Sequence, residues 1–546
     1  MESPAREGSG LRVLLGLLAV FAAHYLFVRP TNFGGADEWL VIDLSSRGIL
    51  DIPYAHRPLA LLWLTAASTL WPHSLWSYWC FYGAWLALGG WTLVLCLRRL
   101  LPETPDVGFL AGVFTLVWAP LDFLRLDTVL LTGGAGSTLG TLLAILLFLE
   151  SHHHRSWALL AAGGLTVALT ARASEGTIPL MASAPLLLLW TRARPDRRFW
   201  SHTAVWMALI AILVAVVARD FLGGGNQGTY QGSALRVDPH PGRVALRMLE
   251  QFGFHLLPLV SGAWGPPSAA VGLALVAFAA VAALLLTGKV GVKRRLFEAA
   301  GLGLGLAALG YLPFMLSAAI LGAARTQVLA APGIGLFLAS LVCLLAGRFR
   351  RRRLVAGLLA GFVVARGADR TLAMQREWDE TRSRYPAQHR ALTGLLDLFP
   401  HVRPGTFFIL LDDSDTWPAT FTFRHALRYL YAGAASGQVV GRQTSDFLYP
   451  LAVRSGGVIS AAWPVIREPW NEPARVYRFD EVVVLRARGR NPPEVLEHWP
   501  AAPLGGLPPP GQYDPWARRL ETIYEIPARR ILGTAPHRAR APEGIR

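Results

Sequence analysis

Long apolar stretches between residues 11 and 367 constrain this chain more than any other feature. A helix needs roughly 20 apolar residues to cross the hydrocarbon core of a bilayer, and several of these stretches reach that length. Only 16% of all residues are charged, whereas soluble proteins contain roughly 25%. Residues 368–546 have the composition of a soluble domain. The sequence therefore predicts a multispanning membrane protein with a soluble C-terminal domain, and it excludes a single water-soluble domain.

The membrane domain is predicted to occupy residues 1–367 and to be all-α. About eleven segments are apolar enough to be interpreted as spans, near residues 11–29, 75–97, 107–121, 129–149, 157–171, 177–191, 201–221, 266–287, 296–320, 327–346 and 354–367. A further apolar stretch, residues 59–71, is too short to span and is predicted to lie in the interface or to re-enter the bilayer. Two long loops, 30–74 and 222–265, separate these segments.

Basic residues predict the orientation of the chain in the membrane. Cytoplasmic loops carry an excess of Lys and Arg, and a cytoplasmic N-terminus places eighteen basic residues in inner connections against nine in outer ones. With eleven spans, residues 368–546 then lie outside the cytoplasm, and the expected location is the bacterial inner (plasma) membrane. Since the net charge of +16 resides largely in these short connections, we expect no nucleic-acid partner.

An acidic pair, Asp37 and Glu38, follows Gly34–Gly35 in the first long loop. It is predicted to open a helix of roughly ten residues. Acids are favourable in the first turn of a helix without any catalytic role, because Asp is a good N-cap and a carboxylate suits the positive end of the helix dipole. The alternative is functional, because the pair directly follows the first predicted span and precedes a second short helix entered at Arg57–Pro58.

These residues and the architecture resemble the GT-C-type integral membrane glycosyltransferases, which include protein mannosyltransferases and lipid A aminoarabinose transferases. The resemblance rests on the acidic pair in the first outer loop, the short helix at Arg57–Pro58–Leu59, some eleven spans and an outer C-terminal domain. It implies transfer of a sugar from a polyprenyl-phosphate carrier to a lipid or glycan acceptor. The catalytic acid would correspond to Asp37 or Glu38. Many relatives have His-Pro-Pro where this chain has His56–Arg57–Pro58, so the role of His56 stays open.

The implied reaction needs a carboxylate to accept a proton and cations to hold the departing phosphate. Arginine suits phosphate because its guanidinium donates two parallel hydrogen bonds. The candidates on the predicted outer side are Arg57, Arg172 and Arg325. For Arg172 the alternative is a local ion pair with Glu175. A second acid would come from Asp122 or Asp127, which are otherwise solvated turn residues.

Three further patterns are given structural interpretations. The tract His152–His154 is predicted to be a solvated basic turn. Asp413 and Asp415 form an Asp-x-Asp pattern after an apolar strand, and a strand-end turn is favoured over a divalent cation site. No cofactor is otherwise expected. The glycine-rich loop 222–265 is interpreted as a surface linker, with ordering over a substrate as the alternative.

The C-terminal domain, residues 368–546, is predicted to be a small α/β or α+β unit. Strands are expected at Thr406–Leu411 and Val476–Arg486, with a helix at Arg424–Ala432. From about residue 490 the chain becomes Pro-rich, and its last residues, basic and polar, are predicted to be disordered.

The sequence thus favours a membrane glycosyltransferase, and two other classes stay open. A transporter or flippase for lipid-linked glycans would place charged residues within its spans. A non-catalytic scaffold would use the C-terminal domain to bind a partner and the spans as an anchor.

Overall fold

The structure is a computed structural model, and it describes residues 7–33, 37–52, 57–118, 123–191, 195–223, 237–261, 271–272, 278, 293–317, 327–414, 416–441, 451–454, 456–460, 475–488, 491–521 and 524–533. The chain divides into two compact units. The first comprises Met1–Arg29, Ala55–Trp63 and Cys80–Glu380. The second comprises Pro30–Tyr54, Leu64–Trp79 and Thr381–Arg546. Each unit is therefore assembled from segments that are distant in sequence.

Helices dominate the chain as far as residue 398. In chain order they are α1 (Glu7–Tyr25), α2 (Glu38–Ser46), α3 (Leu62–Leu70), α4 (Leu75–Leu100), α5 (Pro105–Val117), α6 (Leu130–His153), α7 (Trp157–Ala173), α8 (Ile178–Ala182), α9 (Ala184–Thr191), α10 (Arg197–Gly223), α11 (Pro241–Leu256), α12 (Lys293–Met315), α13 (Gln327–Ala346), α14 (Arg352–Glu377) and α15 (Tyr385–Leu398). The short helices predicted after Asp37 and around residues 59–71 are confirmed as α2 and α3.

Five of the described helices are long and apolar enough to cross a membrane: α4, α6, α10, α12 and α13. Their number is lower than the eleven spans predicted from sequence. Three further apolar helices or helix segments, Val13–Ala22, Pro105–Val117 and Trp157–Ala173, are shorter. The predicted span at 177–191 is divided into α8 and α9 at Ser183, and most of the one at 266–287 lies outside the described residues. The protein is a helical membrane protein with a small α/β region.

Glycines allow a close contact between helices α12 and α13 in the first unit. A Cβ atom at Gly303 of α12 would lie 2.6 Å from the Phe337 nitrogen and 2.7 Å from the Gly333 oxygen of α13. These distances are too short for any side chain, so the two backbones touch directly. Small residues serve this purpose where membrane helices pack, because association there depends on close van der Waals contact.

The second unit contains a four-stranded sheet with the strand order β2-β1-β6-β7. Strands β1 (Thr406–Asp412), β2 (Ala435–Gly441) and β6 (Val482–Ala487) are parallel, and β7 (Glu494–Val495) is antiparallel to β6. Helix α16 (Thr420–Leu430) connects β1 to β2. A second, antiparallel sheet consists of β3 (Leu451–Arg454), β4 (Gly457–Ser460) and β5 (Arg475–Tyr477). The predicted strand at 406–411 and the predicted α/β character are confirmed.

The strand predicted over Val476–Arg486 is wrong as a single element. It is divided into β5 and β6 by a 3-10 turn over Phe479–Glu481. The Glu481 carboxylate accepts a hydrogen bond of 3.0 Å from the Arg478 nitrogen and so closes this turn. The division places the two strands in different sheets.

Part of the Pro-rich segment is folded onto the sheet. Tyr513 donates its hydroxyl proton to the Leu496 oxygen at 2.8 Å and accepts a bond from the Val484 nitrogen at 3.1 Å. Tyr513 packs against a cluster of buried apolar residues in the second unit, and Trp499 and Leu504 pack against the same cluster. One short helix, α17 (Ala501–Leu504), lies in this segment. The tail predicted to be disordered, residues 534–546, lies outside the described residues.

Candidate functional site

The two acids predicted to be catalytic lie at the start of α2, in the second unit. Asp37 occupies the N-cap position, yet its carboxylate makes no capping hydrogen bond to the helix. Glu38 is only 1% exposed, although it lies in the first turn of a nine-residue helix. A first-turn acid that served only the helix dipole would normally be solvated. The structure therefore does not account for Asp37 as a helix cap or for Glu38 as a surface acid.

Sequence reasoning missed a third acid on the same helix. Asp43 accepts a hydrogen bond of 2.6 Å from His425 Nδ1 of α16, and a second bond of 3.0 Å from Arg47. The side chains of Asp43 and His425 are 3% and 1% exposed. A carboxylate within the apolar run Leu40–Leu44 was the available signal, because a buried charge requires a partner. The partner, His425, lies 382 residues away in sequence. No pattern in the sequence identifies it as the partner of Asp43.

Opposing effects set the charge state of this buried pair. Burial acts to raise the pKa of Asp43, but the hydrogen bond from His425, together with the charge of Arg47, lowers that pKa below its ordinary value. Burial also lowers the pKa of His425, and it outweighs the raising effect of Asp43. At neutral pH the pair therefore consists of an ionised Asp43 and a neutral His425 whose Nδ1 hydrogen is directed at the carboxylate.

Two of the three predicted phosphate-binding arginines lie close together in the first unit. The Leu59 nitrogen donates a hydrogen bond of 3.3 Å to the Arg172 oxygen at the end of α7. The Arg57 guanidinium binds Glu175 through two bonds, Nε–Oε2 at 2.8 Å and Nη2–Oε1 at 2.5 Å. Both side chains of that pair are partly exposed, at 32% and 24%. The Arg57 guanidinium is thus held by a carboxylate at a place that solvent can reach.

Arg172 is paired with Asp220 of α10 through Nη2, at 2.7 Å. The ion pair predicted between Arg172 and Glu175 is therefore replaced by two separate pairs, since Glu175 binds Arg57. Arg219 also contacts Asp220, at 2.8 Å. The other terminal nitrogen of Arg172, Nη1, is buried and has no hydrogen-bond partner among the described residues. This arginine thus retains an unused donor beside a second guanidinium.

The predicted second acid at Asp127 is fully buried and lies before α6. Its Oδ1 accepts a hydrogen bond of 3.0 Å from the Leu130 nitrogen, at the first residue of that helix. The interpretation of Asp127 as a solvated turn acid is therefore wrong. Asp127 therefore contacts the backbone at the start of α6 from a buried position.

The described part of the Asp-x-Asp pattern, Asp413 and Ser414, lies in a turn directly after β1. Asp412 ends β1, and its carboxylate accepts backbone hydrogen bonds from Ser414, Thr416 and Trp417 at 3.0, 2.6 and 3.1 Å. In the part of the chain that the structure describes, no group of three or more His, Cys, Asp or Glu side chains could hold a metal ion. His152 is buried beside His202 rather than solvated, with a ring-centroid distance of 6.1 Å. The candidates His56, Asp122 and Arg325, with Asp415 of the pattern, lie outside the described residues.

The arginines described in the first unit form a group with an excess of positive charge. Arg57, Arg172 and Arg219 carry three positive charges against the two negative charges of Glu175 and Asp220, which leaves a net positive group. An Arg fork is well suited to the oxygens of a phosphate ester.

Comparisons with known proteins give little guidance. No protein-family model and no curated protein matches the chain. Among solved structures, the chain is similar to the oligosaccharyltransferase of Archaeoglobus fulgidus in the apo form, with 12% sequence identity and a TM-score of 0.40. The match covers 78% of this chain and 64% of that chain. A likeness this distant carries no argument about the function of this chain.

Proposed function

We propose that this protein is a membrane glycosyltransferase that transfers a sugar from a polyprenyl-phosphate donor to an acceptor outside the cytoplasm. The observation that carries the proposal is the donor group around Arg172, whose buried Nη1 has no hydrogen-bond partner among the described residues. An unused charged donor in a membrane protein suits an anionic ligand, because leaving such a group unpaired is costly. A lipid phosphate is an anion that reaches a membrane-embedded site through its own hydrocarbon chain.

In this proposal, Asp37 or Glu38 accepts the proton of the attacking hydroxyl or amine as the sugar–phosphate bond breaks. Asp37 is the first choice, since it lies directly before α2 in the first long loop, and Glu38 is its neighbour or substitute. Arg57 and Arg172 hold the departing phosphate, with Arg325 and His56 as further candidates. Asp122 and Asp127 stay candidates for a second acid. We further propose the predicted topology, a cytoplasmic N-terminus and an extracytoplasmic domain from residue 368, as the frame for this reaction.

The distribution of charge along the spans favours an enzyme over a transporter. In the five described spans, acidic and basic residues occur only within six residues of a helix end, such as Arg98 of α4, Glu150 of α6 and Asp220 of α10. A transporter for charged glycans would line its path with ionisable groups near the middle of the bilayer. A non-catalytic scaffold, in turn, would not need an arginine with an unused donor.

The test is donor turnover by the full-length protein in liposomes that contain polyprenyl-phosphate tritiated mannose or aminoarabinose. Release of the labelled sugar to water, or its transfer to added lipid, is measured for the wild type, Asp37→Asn and Glu38→Gln. Loss of a general base lowers rates by about 10²–10⁴-fold, and we expect that loss for at least one variant. The matched control is Glu298→Gln, which removes a partly exposed pairing partner of Arg294. If both acid variants turn over the donor at the wild-type rate, neither Asp37 nor Glu38 is the general base.

A further inference from the structure

Helix α11 has the reverse of the polarity expected for a surface helix in water. The side that faces the protein includes Arg247, Gln251 and His255, of which Gln251 is 2% and His255 0% exposed. The opposite side exposes large apolar residues: Leu246 at 57% and Leu249 at 68%. Helices in water turn their apolar side inward, and α11 has the opposite arrangement.

The exposed apolar stripe continues beyond the end of the helix. Leu257 is 61% exposed and Val260 is 80% exposed. At 100° per residue, Leu246, Leu249 and Leu257 project within about 80° of one another. Arg243 and Glu250, both exposed, follow one edge of this stripe. The surface is therefore apolar along its centre and charged along one side, which is the pattern of a helix that lies in a membrane interface.

Polar contacts hold the start of α11 at the end of a candidate span. The Asp238 nitrogen donates a hydrogen bond of 2.8 Å to the Leu316 oxygen, directly after α12. Arg247 of α11 strengthens this connection, because its side chain donates hydrogen bonds to the Ser317 oxygen at 2.7 Å and to the Asp238 carboxylate at 2.9 Å. The end of a spanning helix marks the depth at which the chain leaves the hydrocarbon. The first half of α11 therefore starts at the level of the membrane interface.

The far end of this segment is held as well. Arg366 of α14 is 2% exposed and donates to the Pro258 oxygen at 3.1 Å and to the Ser261 oxygen at 2.7 Å. Asp369 balances its charge, at 3.0 Å. With both ends anchored to helices of the same unit, the orientation of α11 is set by the fold, and its apolar side is presented outward.

We propose that α11 lies in the interface of the lipid bilayer, with Leu246, Leu249 and Leu257 in the hydrocarbon and Arg243 and Glu250 at the level of the headgroups. The partner of this surface is the lipid itself. The segment within loop 222–265 that contains α11 is then part of the membrane-embedded surface rather than a linker in water. The proposal is independent of the reaction that the protein catalyses.

The test uses nitroxide labels on the full-length protein in liposomes of phosphatidylcholine and phosphatidylglycerol. The exposed Cys80 is replaced by Ser, and single labels are attached to Leu246→Cys, Leu249→Cys, Leu257→Cys and, as the matched control on the charged edge, Glu250→Cys. Power saturation compares collisions with oxygen, which concentrates in hydrocarbon, and with a water-soluble nickel complex. Only variants with the elution profile of the parent protein are compared, and any one of the three leucine positions gives the readout.

We expect the labels at the leucine positions to favour oxygen severalfold relative to the label at Glu250. Labels at the leucine positions that meet the nickel complex as readily as the Glu250 label would place the stripe in water and overturn the proposal. Labels that are immobilised and shielded from both reagents would place a protein there, either a second copy or another chain, and would equally overturn it.

Discussion

Asp43 of α2 and His425 of α16 share a buried hydrogen bond of 2.6 Å across 382 residues of sequence. Arg47 adds a bond of 3.0 Å to the same carboxylate oxygen. The pair joins the first long loop to the C-terminal segment within the second unit. A helix that sequence analysis assigns to a loop of the membrane domain therefore depends on the C-terminal segment for its main polar contact.

Removing either member of this pair is expected to destabilise the second unit. Each variant leaves a buried polar group without its hydrogen-bond partner, which costs about 1–3 kcal/mol and more where the remaining group is charged. We expect His425→Ala and Asp43→Asn each to lower the thermal midpoint in detergent. The double variant should lose less than the sum of the two single losses.

Arg478→Ala is the control for this cycle, because the Arg478–Asp480 pair is 72% and 47% exposed. Exposed pairs contribute about 0–1 kcal/mol, so the midpoint should hardly move. Additive losses from Asp43→Asn and His425→Ala would show that the two residues do not interact in solution.

The same pair predicts a loss of stability on acidification. Burial lowers the pKa of His425 below the ordinary value of about 6.5. The unfolded chain therefore binds the proton first, and the stability is full above about pH 6.5 and falls as the pH decreases. Asp43, whose pKa is lowered mainly by His425 against the effect of burial, adds its own loss only below about pH 4.

The measurement is the thermal midpoint of the wild type and of His425→Gln between pH 4.5 and 8. Gln removes the titrating ring, so the variant should have a flatter profile between pH 5 and 7 than the wild type. Parallel profiles for the two proteins would mean that another group causes the acid sensitivity.

The glycine contact between α12 and α13 predicts a position-specific cost. A Cβ at Gly303 would meet backbone atoms at 2.6 and 2.7 Å, whereas one at Gly305, on the exposed side of α12, would meet nothing within 4 Å. Overpacking of this kind costs about 1–3 kcal/mol. We expect Gly303→Ala to lower the thermal midpoint and Gly305→Ala to leave it equal or raise it. Equal losses at both positions would indicate that helix propensity, not the interhelical contact, determines the effect.

The proposed phosphate site predicts that removing a competing carboxylate improves binding. Glu175 occupies Arg57 through two bonds, and a bound phosphate would have to displace it. Glu175→Gln should therefore bind farnesyl phosphate, a short isoprenyl phosphate, more tightly than the wild type, and Arg172→Ala should bind it less tightly. Equilibrium binding in detergent checks both changes, with Glu298→Gln as the control. If Glu175→Gln and Arg172→Ala both bind farnesyl phosphate with the affinity of the wild type, Arg57 and Arg172 do not bind the phosphate.

Local sequence patterns predicted the local structure well. The Gly34–Gly35 pair followed by two acids predicted the start of helix α2. The apolar run before Asp412 predicted strand β1. Among the described residues, fewer helices are long and apolar enough to span than the sequence predicted, in part because a hydropathy window counts apolar residues without detecting where a helix is interrupted. At residues 177–191 the apolar run is long enough, yet the helix is interrupted at Ser183.

Contacts between distant segments could not be predicted. Arg57 and Arg172 were recognised as cations, but their partners, Glu175 and Asp220, depend on how α7 and α10 pack. The inward polar face of α11 was equally hidden, since its amphipathic pattern shows two sides without showing which one faces the protein. A single sequence specifies such pairings only through the complete fold.

The separation of α2 from α16 also fixes an order of events during synthesis. The ribosome adds roughly 5–20 residues per second, so the 382 residues between Asp43 and His425 represent a delay of roughly 20–80 seconds. Throughout that interval the apolar residues Trp39 and Ile42, both fully buried in the finished protein, have no α16 to cover them. The nascent chain must shelter this short helix, at a lipid surface or on a chaperone, until its last partner has been translated.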